Sequence, residues 1–188
     1  YRDFRYRAAR RSGWADLAKR AEALEANAYF RDVTIPARRP RAFEAFRKKY
    51  KASALIGRSK KMEAELALKQ ALLRSGVKAI RHLRRQYADW PEAKDVIKRA
   101  RAQEVKRVMG ALKARPSLRA YRAFLGDYGT WAEAKRHAGW VRRQELELAF
   151  ARAEESGAVD DFVEYVNRYQ EWSEAQGRVK QARVQAAG

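Results

Sequence analysis

Residues 86–94 read QYADWPEAK, residues 127–135 read DYGTWAEAK and residues 168–176 read RYQEWSEAQ. Tyr87, Tyr128 and Tyr169 stand 41 residues apart. Trp90, Trp131 and Trp172 keep the same interval, each three residues after its tyrosine. One offset shared by several residue types marks an internal repeat, and a period of about 20–50 residues points to stacked supersecondary units.

The pattern extends in both directions. Apolar residues sit seven and four positions before each tyrosine: Ile80 and Leu83, Tyr121 and Phe124, Phe162 and Tyr165. Phe43, Phe46 and Tyr50 form a weaker copy. Such positions share one helix face, so the spacing predicts a short amphipathic helix ending at the tyrosine. Counting 3, 7 and 10 residues on from each tryptophan gives Ala93, Ile97 and Ala100, then Ala134, Ala138 and Val141, then Ala175, Val179 and Ala182. Trp14, Leu17, Ala21 and Leu24 form an N-terminal copy. This is a second, longer helix with a narrow alanine-rich stripe, and the tryptophan is expected to be largely buried at its wider end.

The punctuation agrees. Asp89 or Thr130 with Glu92 or Glu133 three residues later makes a capping-box pattern. Pro91 is tolerated in a first turn. Ser75-Gly76, Arg115-Pro116 and Ser156-Gly157 fall between units. The predicted helices lie near 2–11, 14–28, 39–50, 54–74, 78–87, 91–112, 117–127, 131–155, 159–169 and 173–186. This is an all-α chain of about five helix–turn–helix units, near 1–36, 37–75, 76–115, 116–156 and 157–188, read as one repeat domain. The first units depart from consensus: Phe4 holds the −7 place but Arg11 the tyrosine place, and Ser53 replaces the tryptophan. Asp32–Pro40, with Pro36 and Pro40, is the expected hinge or excursion.

Hydrophobic residues make up 46% of the 188 residues, enough for a core, and charged residues 35%, enough for an ionic surface. Absence of cysteine excludes disulfides, thiolate metal sites and cysteine nucleophiles. His82 and His137 are too few for a histidine-rich metal site. No apolar run is long enough for a transmembrane helix. The carboxylates offer no acid/base pair and read mainly as solvated helix faces and local ion pairs, as Glu133 beside His137. There is no phosphate-binding glycine loop and no serine elbow. The Trp-x-Glu recurrence reads as packing and capping rather than as a ligand cage. No catalytic, cofactor or metal residue is expected.

Charge is the one functional signal. The net charge is +20. Residues 1–119 carry 33 Lys and Arg against 12 Asp and Glu, and residues 120–188 carry 10 against 11. Such a basic front predicts an acidic macromolecular partner. The clusters are Arg38, Arg39 and Arg41; Arg47, Lys48, Lys49 and Lys51; Arg58, Lys60 and Lys61; Arg81, Arg84 and Arg85; Lys94, Lys98, Arg99 and Arg101; and Lys106 with Arg107. Arg47, Lys48, Lys49, Arg84, Arg85, Lys98 and Arg99 are the predicted partner contacts, because matching places in stacked units line up as a stripe. RNA would use these cations for phosphate neutralisation. It would also use exposed aromatics for stacking, and here the aromatics are committed to the repeat.

The paired-helix array resembles the tetratricopeptide and pentatricopeptide superfamily over nearly the whole chain. That resemblance implies a right-handed α-solenoid. The 41-residue interval is longer than the usual period and the Tyr-x-x-Trp-x-Glu-Ala signature is not the standard one, so no base-reading position transfers. The basic, Ala/Arg-rich chain, which starts at Tyr1, also resembles the small pentatricopeptide-like accessory F1 subunits of euglenozoan mitochondrial ATP synthases. This resemblance implies a non-catalytic subunit of a matrix assembly, processed at its N-terminus. The alternative is an RNA-binding repeat protein or mitochondrial ribosome component.

Overall fold

The computed structural model describes residues 14–37 and 39–187. Phe4, Arg11, the helix expected over 2–11 and the cation Arg38 lie outside the described residues. Among the described residues the chain is helical, with no strand. The helices are α1 (Ala15–Tyr29), α2 (Pro40–Lys49), α3 (Ile56–Leu73), α4 (Lys78–Gln86), α5 (Lys94–Ala114), α6 (Leu118–Tyr128), α7 (Lys135–Ser156), α8 (Val159–Tyr169) and α9 (Gln176–Ala187). Short 3-10 turns, Pro91–Ala93 and Ser173–Ala175, introduce α5 and α9.

Short helices alternate with long ones, and the tyrosine periodicity explains the short ones. Phe43, Phe46 and Tyr50, Ile80, Leu83 and Tyr87, Tyr121, Phe124 and Tyr128, and Phe162, Tyr165 and Tyr169 are all buried. Breaks between units use the expected glycines: Gly76 and Gly157 take φ of 81° and 63°, a left-handed conformation that favours a residue without Cβ.

Three expectations change. First, the caps at the tryptophans are not made. Trp90 and Trp172 occupy the cap position themselves, without a side-chain hydrogen bond, because the 3-10 turn closes through Ala93 N to Trp90 O and Ala175 N to Trp172 O, both at 3.0 Å. Second, the segment from Asp32 does not begin as an open hinge. Helix α1 runs on as a π-helical turn, Phe30–Thr34, and Ile35 N bonds to Phe30 O at 3.0 Å. Third, the N-terminal copy of the stripe is mostly not buried, although Trp90, Trp131 and Trp172 are largely buried, as expected. In α1 only Ala21 of the predicted stripe is buried, while Trp14, Leu17 and Leu24 are exposed.

The chain divides into two compact units, Tyr1–Arg101 and Ala102–Gly188. The first unit holds two core clusters, one around Phe30, Phe43 and Phe46, the other around Leu68, Ile80, Leu83 and Val96. The second holds one around Tyr121, Phe124 and Val141 and one around Phe150, Phe162 and Tyr165.

Candidate interaction surface

Beneath the surface, each short helix is tied to the long helix before it by the same pair. The tyrosine hydroxyl donates to a glutamate: Tyr50 to Glu25 at 2.9 Å, Tyr87 to Glu63 at 3.2 Å, Tyr128 to Glu104 at 2.8 Å and Tyr169 to Glu145 at 2.9 Å. Glu63, Glu104 and Glu145 are buried, at 5%, 0% and 1% exposure. A buried carboxylate is costly unless bonded and paired. Arg47 meets Glu63 at 2.6 Å, and Arg122 meets Glu145 at 3.1 Å with Arg168 at 3.8 Å. Burial is the main cause that raises the pKa of the Tyr50, Tyr87 and Tyr169 phenols, so each keeps the proton it donates.

Sequence reasoning missed these carboxylates by assigning them to solvated faces. A signal was present: Glu63, Glu104 and Glu145 share the 41-residue interval, each 24 residues before its tyrosine.

A second clasp holds the tryptophan. Lys60 pairs with Glu92 at 3.3 Å and its Nζ lies 5.7 Å from the Trp90 ring centroid. Arg142 repeats this on Glu174 at 3.6 Å and on Trp172 at 5.6 Å. The Arg47 guanidinium also lies 4.9 Å from the Trp90 ring. Glu92 and Glu174 have lowered pKa values, chiefly because each carboxylate accepts from its own backbone N–H. The Trp-x-Glu signature is therefore an internal clasp.

The seven predicted partner contacts fall into three groups. Arg47 is turned inward: its side chain is 16% exposed, and besides Glu63 it donates to Ser59 Oγ at 3.2 Å. Arg84, three residues before Tyr87 as Arg47 is before Tyr50, is half-buried and already engaged. Lys49 reaches Glu25 at 3.5 Å and lies 4.5 Å from the Tyr29 ring. The outward group is Lys48, Arg85, Lys98 and Arg99. Lys48 pairs with Glu44 at 2.7 Å and Arg99 with Glu65 at 3.6 Å; both cations remain largely exposed and such surface pairs are weak. All seven belong to the first unit.

Each unit also has a groove between a long helix and the short helix after it. In the first unit it measures about 510 Å3 and is lined by Gln70, Lys78, His82 and Gln86. In the second it measures about 300 Å3 and is lined by Arg152, Asp161, Glu164 and Arg168. Gln70 and Arg152, His82 and Glu164, and Gln86 and Arg168 are each 82 residues apart, so the grooves are repeat copies with different polar linings. Among the described residues no group of His, Asp or Glu is placed to hold a metal ion. No helix there is long and apolar enough to cross a membrane.

In comparisons with protein-family models, curated proteins and solved structures, nothing matches this chain.

Proposed function

We propose that the chain is a non-catalytic structural subunit of a large assembly, built as a right-handed α-solenoid. One observation carries this reading. Buried carboxylates, with phenols and guanidiniums against them, are tied up in repeated internal clasps, Glu63–Tyr87–Arg47 and Glu145–Tyr169–Arg122. A reaction needs one constellation of groups; a motif used at each junction serves the scaffold. The outward cations Lys48, Arg85, Lys98 and Arg99 then serve recognition of an acidic surface. The setting we propose is the mitochondrial matrix, with the F1 part of ATP synthase as the assembly. Its support is the resemblance of the basic repeat chain to accessory F1 subunits.

The cationic first unit also favours a second reading, binding to RNA. Native purification from the source organism tests both. Recovery with a stoichiometric set of protein subunits is the expected result. Recovery with RNA gives the second reading, and a free monomer bound to nothing defeats both.

A further inference from the structure

The second repeat departs from the three later ones where their tryptophan stands. Ser53 stands three residues after Tyr50, where Trp90, Trp131 and Trp172 stand three after their tyrosines. The backbone there is the same. Ser53 N donates to Tyr50 O at 3.0 Å, as the three tryptophan N–H groups donate to Tyr87, Tyr128 and Tyr169 at 3.1, 2.9 and 2.9 Å. The next bond also matches: Ile56 N to Ser53 O at 3.1 Å, against 3.0 Å from Ala93, Ala134 and Ala175 to their tryptophans. The main chain thus holds Ser53 as it holds an indole-bearing residue elsewhere. The indole ring is missing.

In the three complete copies that ring meets its tyrosine edge-on, with centroids 4.8, 4.9 and 5.2 Å apart. Beside Tyr50 there is instead a cleft of about 540 Å3, walled by Ala23, Ala26, Tyr50 and Leu55, with Lys19 and Glu22 also lining it. That volume lies in the range of ligand sites, about 300–1,000 Å3. One cation and one carboxylate leave the lining without net charge, which suits an uncharged ring. Glu22 precedes Glu25 by three residues, the place of Lys60 before Glu63 and of Arg142 before Glu145. The cation that covers the indole in those copies is thus replaced by an acid.

We propose that this cleft is a socket for an aromatic side chain, an indole, supplied by a partner protein. The repeat itself identifies the occupant, since three copies fill the same place with tryptophan against the same tyrosine edge. Buried aromatic anchors of this kind carry much of the energy of protein interfaces. The proposal rests on the reading of the chain as an interaction scaffold.

Two measurements on the full chain test it, with indole and N-acetyltryptophanamide as probes. In a titration followed by backbone amide NMR, both probes should bind saturably, shifting the amides of Ala23, Ala26 and Leu55. Ser53→Trp fills the cleft from the chain's own backbone. Ala23→Phe blocks it from an exposed position and guards against misfolding of the first variant. Each should weaken probe binding by roughly tenfold or more, as expected when the pocket of an aromatic anchor is occupied. In native co-purification each variant should also recover less of a subunit that the parent retains. No probe binding to the parent, or equal binding to parent and variants, overturns the socket and leaves the scaffold reading to its own test. Probe binding that emerges only after deletion of residues 1–13 assigns the cleft to the chain's own terminus and also overturns it. Unchanged co-purification of variants that have lost the probe overturns the partner protein as occupant.

Discussion

Helices α4 and α8 occupy the same place in their respective units, 82 residues apart. Inward they are alike: Ile80, Leu83 and Tyr87 are buried in one, Phe162, Tyr165 and Tyr169 in the other. Outward they are opposed. Lys78, His82 and Arg85 of α4 face solvent where α8 presents Asp160, Glu164 and Asn167. The repeat therefore constrains the apolar face and the hydroxyl that reaches the buried glutamate, and leaves the outer face to be set by whatever lies beyond. The clasps differ too. Glu63 pairs with Arg47, whereas Glu145 pairs with Arg122 and has Arg168 standing by.

The largest way to break this comparison is to remove the arginine that pairs with Glu63. Arg47→Met leaves the buried Glu63 carboxylate with the Tyr87 hydroxyl but without its countercharge, and should cost about 3–5 kcal/mol in urea unfolding, the usual result of breaking a buried pair. Arg122→Met should cost about half as much, because Arg168 remains near Glu145 and Arg122 is itself 34% exposed. Equal losses would show that the two clasps are energetically the same.

A smaller effect separates two tyrosines of α8. Tyr169→Phe removes the donor to Glu145 and should cost about 1–3 kcal/mol. Tyr165 is equally buried, but its hydroxyl has no hydrogen-bond partner. Tyr165→Phe should therefore be neutral, or stabilising by about 1 kcal/mol, in the same denaturation experiment.

Alkaline pH sharpens that contrast. Burial pushes the Tyr165 phenol from 10.0 up to about 12. Between those values the unfolded chain has lost a proton that the folded chain keeps, so stability is full below pH 10 and falls as pH rises toward 12. The Tyr165→Phe variant should show a shallower decline over that window, measured as Tm against pH.

The smallest effect on stability belongs to the outer faces. Reversing Lys48, Arg85 and Lys98 together should change unfolding free energy little, each surface site by about 0.5 kcal/mol or less. The same variant should lose the acidic partner proposed above in co-purification. Reversing Asp160, Asp161 and Glu164 should leave that partner bound.

Much of the fold is legible in the sequence because the tyrosine and tryptophan intervals repeat without change. The predicted helices 78–87, 117–127 and 159–169 match α4, α6 and α8 to within a residue at each end. The clasps are not legible by the same reasoning, since a glutamate among lysines on a long helix looks solvated. Only the fold, by bringing Tyr87 against Glu63, shows that this carboxylate faces inward. The stripe reading likewise counts Arg47 with Lys48, although one turns toward Trp90 and the other toward solvent. The departure at Ser53 is visible in the sequence, but not the space beside it.

The π-helical turn at Phe30–Thr34 carries a consequence of its own. Glu25 and Tyr50 are 25 residues apart, one more than the interval in the three later copies, and that turn lies between them. A wide turn takes up one additional residue within a helix. The surplus is absorbed there, and the Tyr50 hydroxyl still reaches its glutamate at 2.9 Å. Insertions are therefore tolerated in this architecture where a helix can swell locally, upstream of the next tether, without putting the following units out of phase.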